Sequence, residues 1–430
     1  MKIAILGYGV EGKSAYDYLK RKNPKYEIDI FDQKSIDPTV NQVTNLLDIN
    51  YAPYGAIVRS PSIPPEPIRK KILADKNGSH DFNLTSGTQI FFDKCPAPII
   101  GVTGTKGKGT VSSMIKSILD AAGRTAHLVG NIGTPALDVL SSIKPHDIVV
   151  YELSSFQLWD IHRKSPSISV VLTIAPDHLD IHSDFEQYIT AKANITAHQT
   201  EDDLFVYYAN NEHSVAIADK SVAHKVAYPS ESGAHIRGED FYFGEQKICS
   251  AAVLNLPGAH NQENALAAIS AVYHLVDHQA IEQGLSNFKG LPHRLELVRT
   301  LEGISYYDDS FSSATPALEV AVKAFSSPII LIAGGYDRGL DYTELGVFLN
   351  SQSNLKKVIL IGQTKTKIAQ YLPDNLYEFA ETLESAVTSA RSISAAGDVV
   401  LLSPGCASFD MFKDFKDRGE KFQTIVKGLK

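Results

Sequence analysis

A glycine-rich segment with two lysines, residues 101–110, constrains this chain more than any other stretch. Its sequence is GVTGTKGKGT, an apolar run precedes it, and residues 111–119 place apolar side chains at helical spacing. A strand, a glycine-rich turn and a helix N-terminus form a phosphate cradle, because backbone N–H groups point inward and the helix dipole favours an anion. Lys108 would reach the outer phosphates, so the segment predicts ATP binding; the alternative is an ordinary strand–helix turn.

Size and composition exclude several classes of protein. A chain of 430 residues is too long for one core, and 43% hydrophobic with 21% charged residues is typical of a soluble globular protein. A net charge of −8, without a basic patch interleaved with aromatics, argues against nucleic-acid binding. Three scattered cysteines do not make a disulfide framework. The chain enters a strand at residue 2 with no signal peptide or membrane-length apolar segment, which predicts a cytoplasmic protein with no membrane role.

The first thirty residues carry a dinucleotide-binding pattern. A strand over residues 2–6 is followed by Gly7-Tyr8-Gly9-Val10-Glu11-Gly12, a helix over 13–20 and a second strand ending at Asp32. Glycines for a pyrophosphate and an acid for a ribose are the fingerprint of this site. However, the segment before the next domain is too short for both halves of a dinucleotide fold. We therefore favour a nucleotide sugar or mononucleotide over NAD.

A buried strand over residues 147–151 is predicted to end at Glu152. In open parallel sheets, ligands lie beyond the carboxyl ends of the strands, so an acid beside a phosphate loop is placed to hold Mg²⁺. The alternative is a solvated glutamate at a strand end.

Another predicted strand, residues 168–173, leads to the sequence DHLDIH at 177–182, which is similar to zinc-binding clusters. Zinc would require three protein ligands, and no further histidine or cysteine follows at ligand spacing. We therefore expect a histidine of this cluster to join oxygen ligands around Mg²⁺. Tyr188 and Lys192 follow one helical turn apart, and by pattern alone Lys192 is predicted to be a solvated helix lysine.

The second half of the chain predicts more β-structure and then a further doubly wound domain. Residues 204–253 are β-rich, with Gly244 and Glu245 as a hairpin turn, and a domain boundary is expected near residue 290. Beyond it the sequence predicts at least four strands, the last three each preceded by a helix: residues 304–307, 328–333, 357–361 and 398–402.

Taken together, these motifs resemble the ATP-dependent Mur ligases of peptidoglycan synthesis, and within them the members that add D-glutamate. The matching segments run in order from end to end. They are the phosphate loop, Gly130-Asn131-Ile132-Gly133, the sequence ELSSFQL at 152–158, DHLD at 177–180, His260-Asn261 with Asn264-Ala265, LPHR at 291–294 and the tail from 402 to 412.

The resemblance implies an α/β protein of three domains. They are an N-terminal Rossmann-like half domain for a UDP-sugar (residues 1–93), a central P-loop ATPase-like domain with a parallel sheet (94–290) and a C-terminal Rossmann-like domain for the amino acid (291–430). It also implies a reaction: ATP phosphorylates the carboxylate of UDP-N-acetylmuramoyl-L-alanine, and the amine of D-glutamate attacks the acyl phosphate. The expected protein is a monomer acting on small molecules with ATP and two Mg²⁺ ions.

Site residues follow from the same resemblance. The catalytic residues would be Lys108, Glu152, His178, Lys192 and Arg294. ATP would be bound by Gly104, Thr105, Lys106, Gly107, Lys108, Gly109, Thr110, Asn264, Arg294 and Asp309. The UDP-sugar would be bound by Val10, Glu11, Asp32, Gln33, Lys34, Asn131, Ser154 and Gln157, and the amino acid by Ser313, Arg338, Ser408 and Phe415. The metal ligands would be Thr110, Glu152, His178 and Lys192, with Lys192 carbamylated so that it offers an anionic oxygen.

Some residues depart from the family pattern. Lys106 and Gly109 stand where an asparagine and a hydroxyl are usual, so Thr110 would take over the Mg²⁺ contact. Phe311 and Arg338 replace lysines near the amino-acid site, and Glu11 replaces a small polar residue. A related amide ligase with another nucleotide-sugar peptide or a folate as substrate is therefore an alternative. A regulator without turnover would not need Lys192 or Arg338, and an NAD enzyme would explain only the first domain.

Overall fold

The computed structural model describes residues 1–34, 37, 39–159 and 161–430. They divide into two compact units, Met1–Leu254 with Glu263–Phe288 and Asn255–Gln262 with Lys289–Lys430. Both units are α/β, as predicted, whereas the three domain boundaries remain a prediction. Among the described residues no helix combines the length and apolar character needed to cross a bilayer.

The first sheet of unit one is a five-stranded parallel sheet in the order β3-β2-β1-β4-β5. Its central strands are buried and apolar because helices cover a parallel sheet on both faces. The strands are β1 (Lys2–Leu6), β2 (Glu27–Asp32), β3 (Asn41–Gln42), β4 (Ala56–Arg59) and β5 (Asn83–Ser86). The helices are α1 (Val10–Lys22), α2 (Pro65–Asp75) and α3 (Gly87–Lys94).

The second sheet of unit one is a six-stranded parallel sheet in the order β11-β10-β9-β6-β8-β7. Its strands are β6 (Ile99–Thr103), β7 (Ala126–Gly130), β8 (Ile148–Glu152), β9 (Ile168–Val171), β10 (Leu204–Tyr208) and β11 (His224–Tyr228). Its helices are α4 (Lys108–Ala121), α5 (Ala136–Val139), α6 (Ser155–Leu158), α7 (Phe185–Ala193) and α8 (Glu212–Lys220). The predicted strand, glycine turn and helix around residues 101–110 are confirmed.

A small antiparallel sheet follows, in the order β12-β13-β14. The predicted hairpin at Gly244 joins its last two strands, and Gly244 has a φ of +55° that favours glycine. The strands are β12 (Ala234–Arg237), β13 (Asp240–Phe243) and β14 (Gln246–Ser250), followed by helices α9 (Ala259–Val272) and α10 (His278–Asn287).

Unit two contains a six-stranded sheet in the order β15-β16-β20-β17-β18-β19. Only the β15–β16 pair is antiparallel. The strands are β15 (Glu296–Leu301), β16 (Ile304–Asp308), β17 (Ile329–Gly334), β18 (Leu355–Ile361), β19 (Tyr377–Phe379) and β20 (Val399–Leu402). The helices are α11 (Thr315–Lys323), α12 (Thr343–Ser351), α13 (Lys365–Ala369), α14 (Leu383–Ile393) and α15 (Phe415–Gly428). All four predicted strands are present; the edge strands β15 and β19 were not anticipated.

The register of the second sheet sets the position of the loops that follow its strands. Val102 of β6 pairs with Glu152 of β8, and Thr103 pairs with Val171 of β9. Because the three strands are parallel, the glycine-rich loop, Glu152 and the segment from residue 172 all leave the sheet at one edge. This edge is where an open parallel sheet binds ligands.

Candidate active site

The glycine-rich loop needs its glycines because two of them occupy backbone conformations that side chains rarely adopt. Gly104 has a φ of +151° and Gly107 a φ of +85°. A Cβ on Gly104 would lie 2.7 Å from the Cβ of Leu172, and one on Gly107 would lie 2.6 Å from Oδ1 of Asn264. Gly107 caps α4 without a side-chain hydrogen bond. The first turn of α4 is therefore left without a capping side chain at the loop, as an anion site requires.

Two lysines converge on one carbonyl of this loop. Nζ of Lys108 donates to the backbone oxygens of Gly104 at 2.9 Å and Thr105 at 3.1 Å. Nζ of Lys192 donates to the same Gly104 oxygen at 2.9 Å. The two predicted catalytic lysines are thus brought together, although 84 positions separate them in the chain.

Lys192 is buried, with only 1% of its surface exposed. The interpretation of Lys192 as a solvated helix lysine is therefore wrong. Lys192 lies one turn after Tyr188, on the face of α7 that contacts the glycine-rich loop. Its Nζ lies 4.6 Å from the centre of the Tyr188 ring. Burial lowers the pKa of Lys192 well below its usual value and the charge of Lys108 lowers it further, while Asp177 and Glu152 oppose the shift. Among the described residues no carboxylate forms an ion pair with Lys192.

Thr105 fixes the loop against the segment that follows β9. Its hydroxyl donates to the oxygen of Ala175 at 3.0 Å, accepts from the N–H of Ala175 at 2.9 Å and lies 2.9 Å from the hydroxyl of Tyr188. Burial raises the pKa of Tyr188 to about 12, so its hydroxyl stays protonated. The side chain of Thr105 is thus committed to protein contacts, and its backbone N–H also donates to the oxygen of Thr173, at 2.7 Å. The predicted role of Thr105 toward ATP stays a prediction.

Oxygen and nitrogen donors suited to Mg²⁺ lie at this sheet edge. Glu152 is 5% exposed at the end of β8, and Nδ2 of Asn131 donates to its Oε1 at 3.4 Å. His178 has a φ of +55°, is half exposed and lies with its ring 4.9 Å from that of Phe156. Mg²⁺ prefers oxygen ligands, so the carboxylate of Glu152 is the donor of this pair that suits it, and the assignment of His178 as a ligand stays a prediction. Lys106 is exposed and lies 4.0 Å from Asp177.

His182 belongs to this environment although sequence reasoning gave it no role. It is 1% exposed, and its Nε2 lies 3.0 Å from the hydroxyl of Ser155 at the start of α6. Its ring stacks on Phe156 at 5.4 Å and approaches Trp159 at 4.4 Å. Burial lowers the pKa of His182, which favours the neutral ring. The signal in the sequence was the second histidine of DHLDIH.

A cavity of about 610 Å³ opens between the first and second sheets of unit one. Seven of the eight residues predicted to bind the UDP-sugar line this cavity. Its described lining is Gly7, Tyr8, Gly9, Val10, Glu11, Asp32, Lys34, Ser60, Pro61, Ser62, Asn131, Ser154, Phe156 and Gln157. The remaining predicted residue, Gln33, is not in this lining, and its amide donates to the oxygen of Thr44 at 2.9 Å. Ser60, Pro61, Ser62 and Phe156 were not predicted.

Hydrogen bonds hold the walls of this cavity, which we call the nucleotide-sugar cavity. The two carboxylate oxygens of Asp32 accept from the N–H groups of Tyr8 and Lys34, each at 2.6 Å. On the opposite wall, Ser154 and Gln157 form a capping box at the start of α6. The carboxylate of Asp32 thus links the glycine turn at Tyr8 to the segment that follows β2.

In unit two, Arg294 and Asp309 flank a buried ion pair. The guanidinium of Arg294 lies 3.8 Å from the centre of the Phe311 ring. Next to it, Nδ1 of His293 lies 2.7 Å from Oδ2 of Asp308, which raises the pKa of His293. Asp309 accepts from the hydroxyl of Ser403 at 2.7 Å, and burial raises its pKa to about 6.

The four residues predicted to bind the amino acid differ in burial. Ser408 is buried, whereas Ser313 and Arg338 are exposed. Phe415 begins α15 and makes an edge-to-face contact with Phe311 at 5.1 Å. Sequence reasoning missed Arg418, which is fully buried and donates to Ser310 and to the oxygen of Cys406.

Comparison with known proteins identifies the family to which the chain belongs. Residues 102–272 match the Mur ligase middle domain, and residues 293–406 match the Mur ligase glutamate ligase domain. The UDP-N-acetylmuramoylalanine–D-glutamate ligase of Clostridium tetani is 35% identical over 100% of this chain and 97% of its own length. The chain belongs to the Mur ligase family. The enzyme of the same name from Acetivibrio thermocellus is also 35% identical, over 100% of this Mur ligase and 96% of the relative.

Solved structures show the same fold. The UDP-N-acetylmuramate–alanine ligase of Thermotoga maritima superposes with a TM-score of 0.60 at 18% identity, covering 100% of both chains. The MurF ligase of the same organism, in complex with ADP, gives a TM-score of 0.60 at 16% identity over 99% of this Mur ligase and 95% of that chain. This Mur ligase therefore has the three-domain α/β fold of its relatives.

Proposed function

We propose that this Mur ligase uses ATP to join D-glutamate to UDP-N-acetylmuramoyl-L-alanine. Relatives that are 35% identical over the whole chain carry the name of that ligase. The observation that carries the proposal is the position of Asn131, which lines the nucleotide-sugar cavity and also donates to Glu152 at the phosphate-loop edge. A nucleotide sugar in the cavity would present its far end, the reacting carboxylate, to that edge.

The chain's residues match the first half of this reaction. An oxygen of the substrate carboxylate attacks the γ-phosphorus of ATP, the bond to the bridging oxygen breaks, and an acyl phosphate and ADP form. Little covalent help is needed; positioning and neutralisation of negative charge dominate such transfers. The N-terminus of α4 and Lys108 would hold the phosphates, and Lys108 would exchange the loop carbonyls that it now contacts for phosphate oxygens. Arg294 would supply a further positive charge.

We propose that two Mg²⁺ ions bind at the sheet edge, with Thr110, Glu152, His178 and a modified Lys192 as their ligands. When bound, they would neutralise the phosphate oxygens and the carboxylate. An ammonium group is not a metal ligand, so Lys192 must change before it serves. Its lowered pKa favours the neutral amine, whose lone pair attacks carbon dioxide. A nitrogen–carbon bond forms, a proton leaves, and the resulting carbamate offers anionic oxygen.

The second half of the reaction forms the amide. The amine of D-glutamate attacks the carbonyl carbon of the acyl phosphate, a tetrahedral intermediate forms, and phosphate leaves as the amine loses its protons. Arg338 is exposed and its planar guanidinium can bind a carboxylate with two parallel hydrogen bonds. Arg338, Ser408, Phe415 and Ser313 are the residues that we propose for D-glutamate.

Phosphate release tests this function directly. Purified protein is assayed with ATP, Mg²⁺ and UDP-N-acetylmuramoyl-L-alanine, with and without D-glutamate, and L-glutamate serves as the matched control. We expect release that depends on both the nucleotide sugar and D-glutamate. Release with a different amino acid or nucleotide-sugar peptide would identify a related ligase instead, and ATP binding without any release would indicate a regulator.

A further inference from the structure

Phe311 is a large apolar residue that stays 42% exposed in unit two. Burial of apolar surface therefore explains little of its presence at this position. A charged group covers its ring instead: Cζ of Arg294, the central carbon of the guanidinium, lies over the ring at 3.8 Å from its centre. This distance corresponds to direct contact between two flat groups, in which the negative face of the ring attracts the cation.

The backbone brings these two side chains next to each other. Strands β15 and β16 are antiparallel, and Glu296 lies opposite Asp308. Continuing that register by three positions places residue 293 opposite residue 311, and the N–H of Phe311 donates to the oxygen of His293 at 3.0 Å. Arg294 is the next residue, so strand pairing sets the distance between its side chain and the ring of Phe311.

The backbone on both sides of Arg294 is strained. His293 has a φ of +61° and Leu295 a φ of +44°, values that residues other than glycine seldom adopt. Such strain persists only where surrounding contacts impose it. Here Nδ1 of His293 lies 2.7 Å from Oδ2 of Asp308, and the N–H of Leu295 donates to Oδ1 of Asp309 at 3.2 Å. The turn that ends β16 therefore fixes the backbone that carries Arg294.

Other contacts support Phe311 itself. Its ring makes an edge-to-face contact with the ring of Phe415 at 5.1 Å. The preceding residue, Ser310, donates its hydroxyl to the oxygen of Phe415 at 2.8 Å and accepts from Nε of the fully buried Arg418 at 2.9 Å. Phe311 thus presents an exposed ring on a backbone that is held by buried groups.

Stacking restrains the guanidinium of Arg294 without competing for its hydrogen bonds. The five N–H donors of an arginine lie in the plane of the guanidinium, whereas the ring contacts its face. A long side chain that is already restrained loses less rotamer freedom when it binds an anion. The stack therefore orients a cation and leaves the edge of its guanidinium suited to phosphate oxygens.

We propose that Phe311 is a positioning residue, whose ring holds the guanidinium of Arg294 in the orientation that binds the transferred phosphoryl group. This inference rests on the proposed function, which assigns that positive charge to Arg294. Phe311 acts through Arg294 and takes no part in bond formation.

Phenylalanines with one, two or three ring fluorines at position 311 test this role. Fluorine withdraws electron density from the face of the ring and changes its shape little, so the attraction for the guanidinium weakens stepwise. We expect kcat/KM for ATP in phosphate release to fall with each fluorine, by about fivefold over the series, while KM for D-glutamate stays level. A level kcat/KM across the series, or an effect confined to KM for D-glutamate, overturns the inference.

Natural side chains provide the matched variants. Phe311→Leu should lower kcat/KM for ATP about fivefold, and Phe311→Tyr, which keeps the ring face, should retain it. Phe379→Leu is the control, because Phe379 is 48% exposed and lies beside a cation, with Nζ of Lys365 at 5.9 Å from its ring centre, but belongs to none of the predicted sites. An equal loss in Phe311→Tyr and Phe311→Leu, or in the control, overturns the inference.

Nuclear magnetic resonance of the full chain with labelled arginine side chains gives a readout that needs no turnover. The signal that disappears in Arg294→Lys belongs to Arg294, and the ring current should move it to lower frequency. We expect this shift in the unchanged protein and in Phe311→Tyr, but not in Phe311→Leu. Its absence from the unchanged protein overturns the inference and leaves the ligase function intact. A shifted signal without any D-glutamate-dependent phosphate release overturns the proposed function, and with it the role of Phe311.

Discussion

Lys108 and Lys192 donate to the same backbone oxygen, that of Gly104, each at a distance of 2.9 Å. Two ammonium groups on one acceptor repel each other, and only Lys192 is fully buried. A positive charge is therefore less stable on Lys192, because burial first and Lys108 second lower its pKa. Burial beside Lys108 thus favours the neutral, nucleophilic amine at Lys192.

We predict that Lys192→Ala reduces ligase activity by roughly two orders of magnitude, because an anionic metal ligand is lost. Short carboxylates such as acetate should restore part of the activity, since they can occupy the space of the carbamate. Lys116→Ala is the control, because Lys116 pairs with Asp120 on the outer face of α4. Steady-state rates with and without acetate make the comparison. A fully active Lys192→Ala variant would show that no carbamate is needed.

We predict that Gly107→Ala abolishes most ATP binding, whereas Gly123→Ala does not. Both glycines have positive φ values, +85° and +69°, so the backbone strain is similar at about 1 kcal/mol. They differ in surroundings: the new Cβ at Gly107 would lie 2.6 Å from Asn264, and none lies within 4 Å at Gly123. Equilibrium binding of a fluorescent ATP analogue measures damage to the ATP site. Thermal unfolding of both variants measures the loss of stability caused by backbone strain. Equal ATP affinity in the two variants would contradict the argument.

We predict that Thr110→Ala raises the Mg²⁺ concentration needed for half-maximal activity several-fold, because Gly109 offers no hydroxyl to replace it. Ser113→Ala, one turn further along α4, should leave the Mg²⁺ dependence unchanged. The measurement is phosphate release over a Mg²⁺ titration at fixed ATP. Identical titration curves for Thr110→Ala and the unchanged protein would place the ligand elsewhere.

We predict that Asp309 makes the protein more stable in acid than it would otherwise be. Burial raises the pKa of Asp309 to about 6 in the folded state, above the value of 3.8 for an exposed aspartate. A raised pKa contributes stability that is fully present below the unfolded value and is lost as the pH rises through about 6. The contribution amounts to about 3 kcal/mol, from two units of pKa shift.

Urea unfolding between pH 4 and pH 8 measures this contribution. The free energy of unfolding of the unchanged protein should fall relative to that of Asp309→Asn as the pH rises through this window. The raised pKa of His293 gives a slope of the same sign at higher pH, and it is common to both proteins. Parallel profiles for the two proteins would show that Asp309 titrates normally.

Much of the fold follows from local patterns. The strand, glycine turn and helix of the phosphate loop, the hairpin at Gly244 and the strands of unit two all lie where apolar runs and turn residues predict them. Strands β15 and β19 were missed because edge strands are partly exposed and lack a continuous apolar run. Lys192 was misjudged from pattern because helix periodicity does not show which face a sheet covers.

Local sequence patterns specify the functional groups available to this protein: a phosphate loop with Lys108, the acid Glu152 at a strand end, the DHLDIH cluster and the glycine turn at residues 7–12. Each of these motifs consists of residues close together in the chain or at the end of a strand, so local sequence patterns are enough to identify it. Packing of distant segments brings Lys192 beside Lys108, Asn131 against both Glu152 and the cavity, and Gln157 against Glu11. These contacts join residues distant in the chain, and the desolvation and charge that alter Lys192 exist only once the sheets have packed.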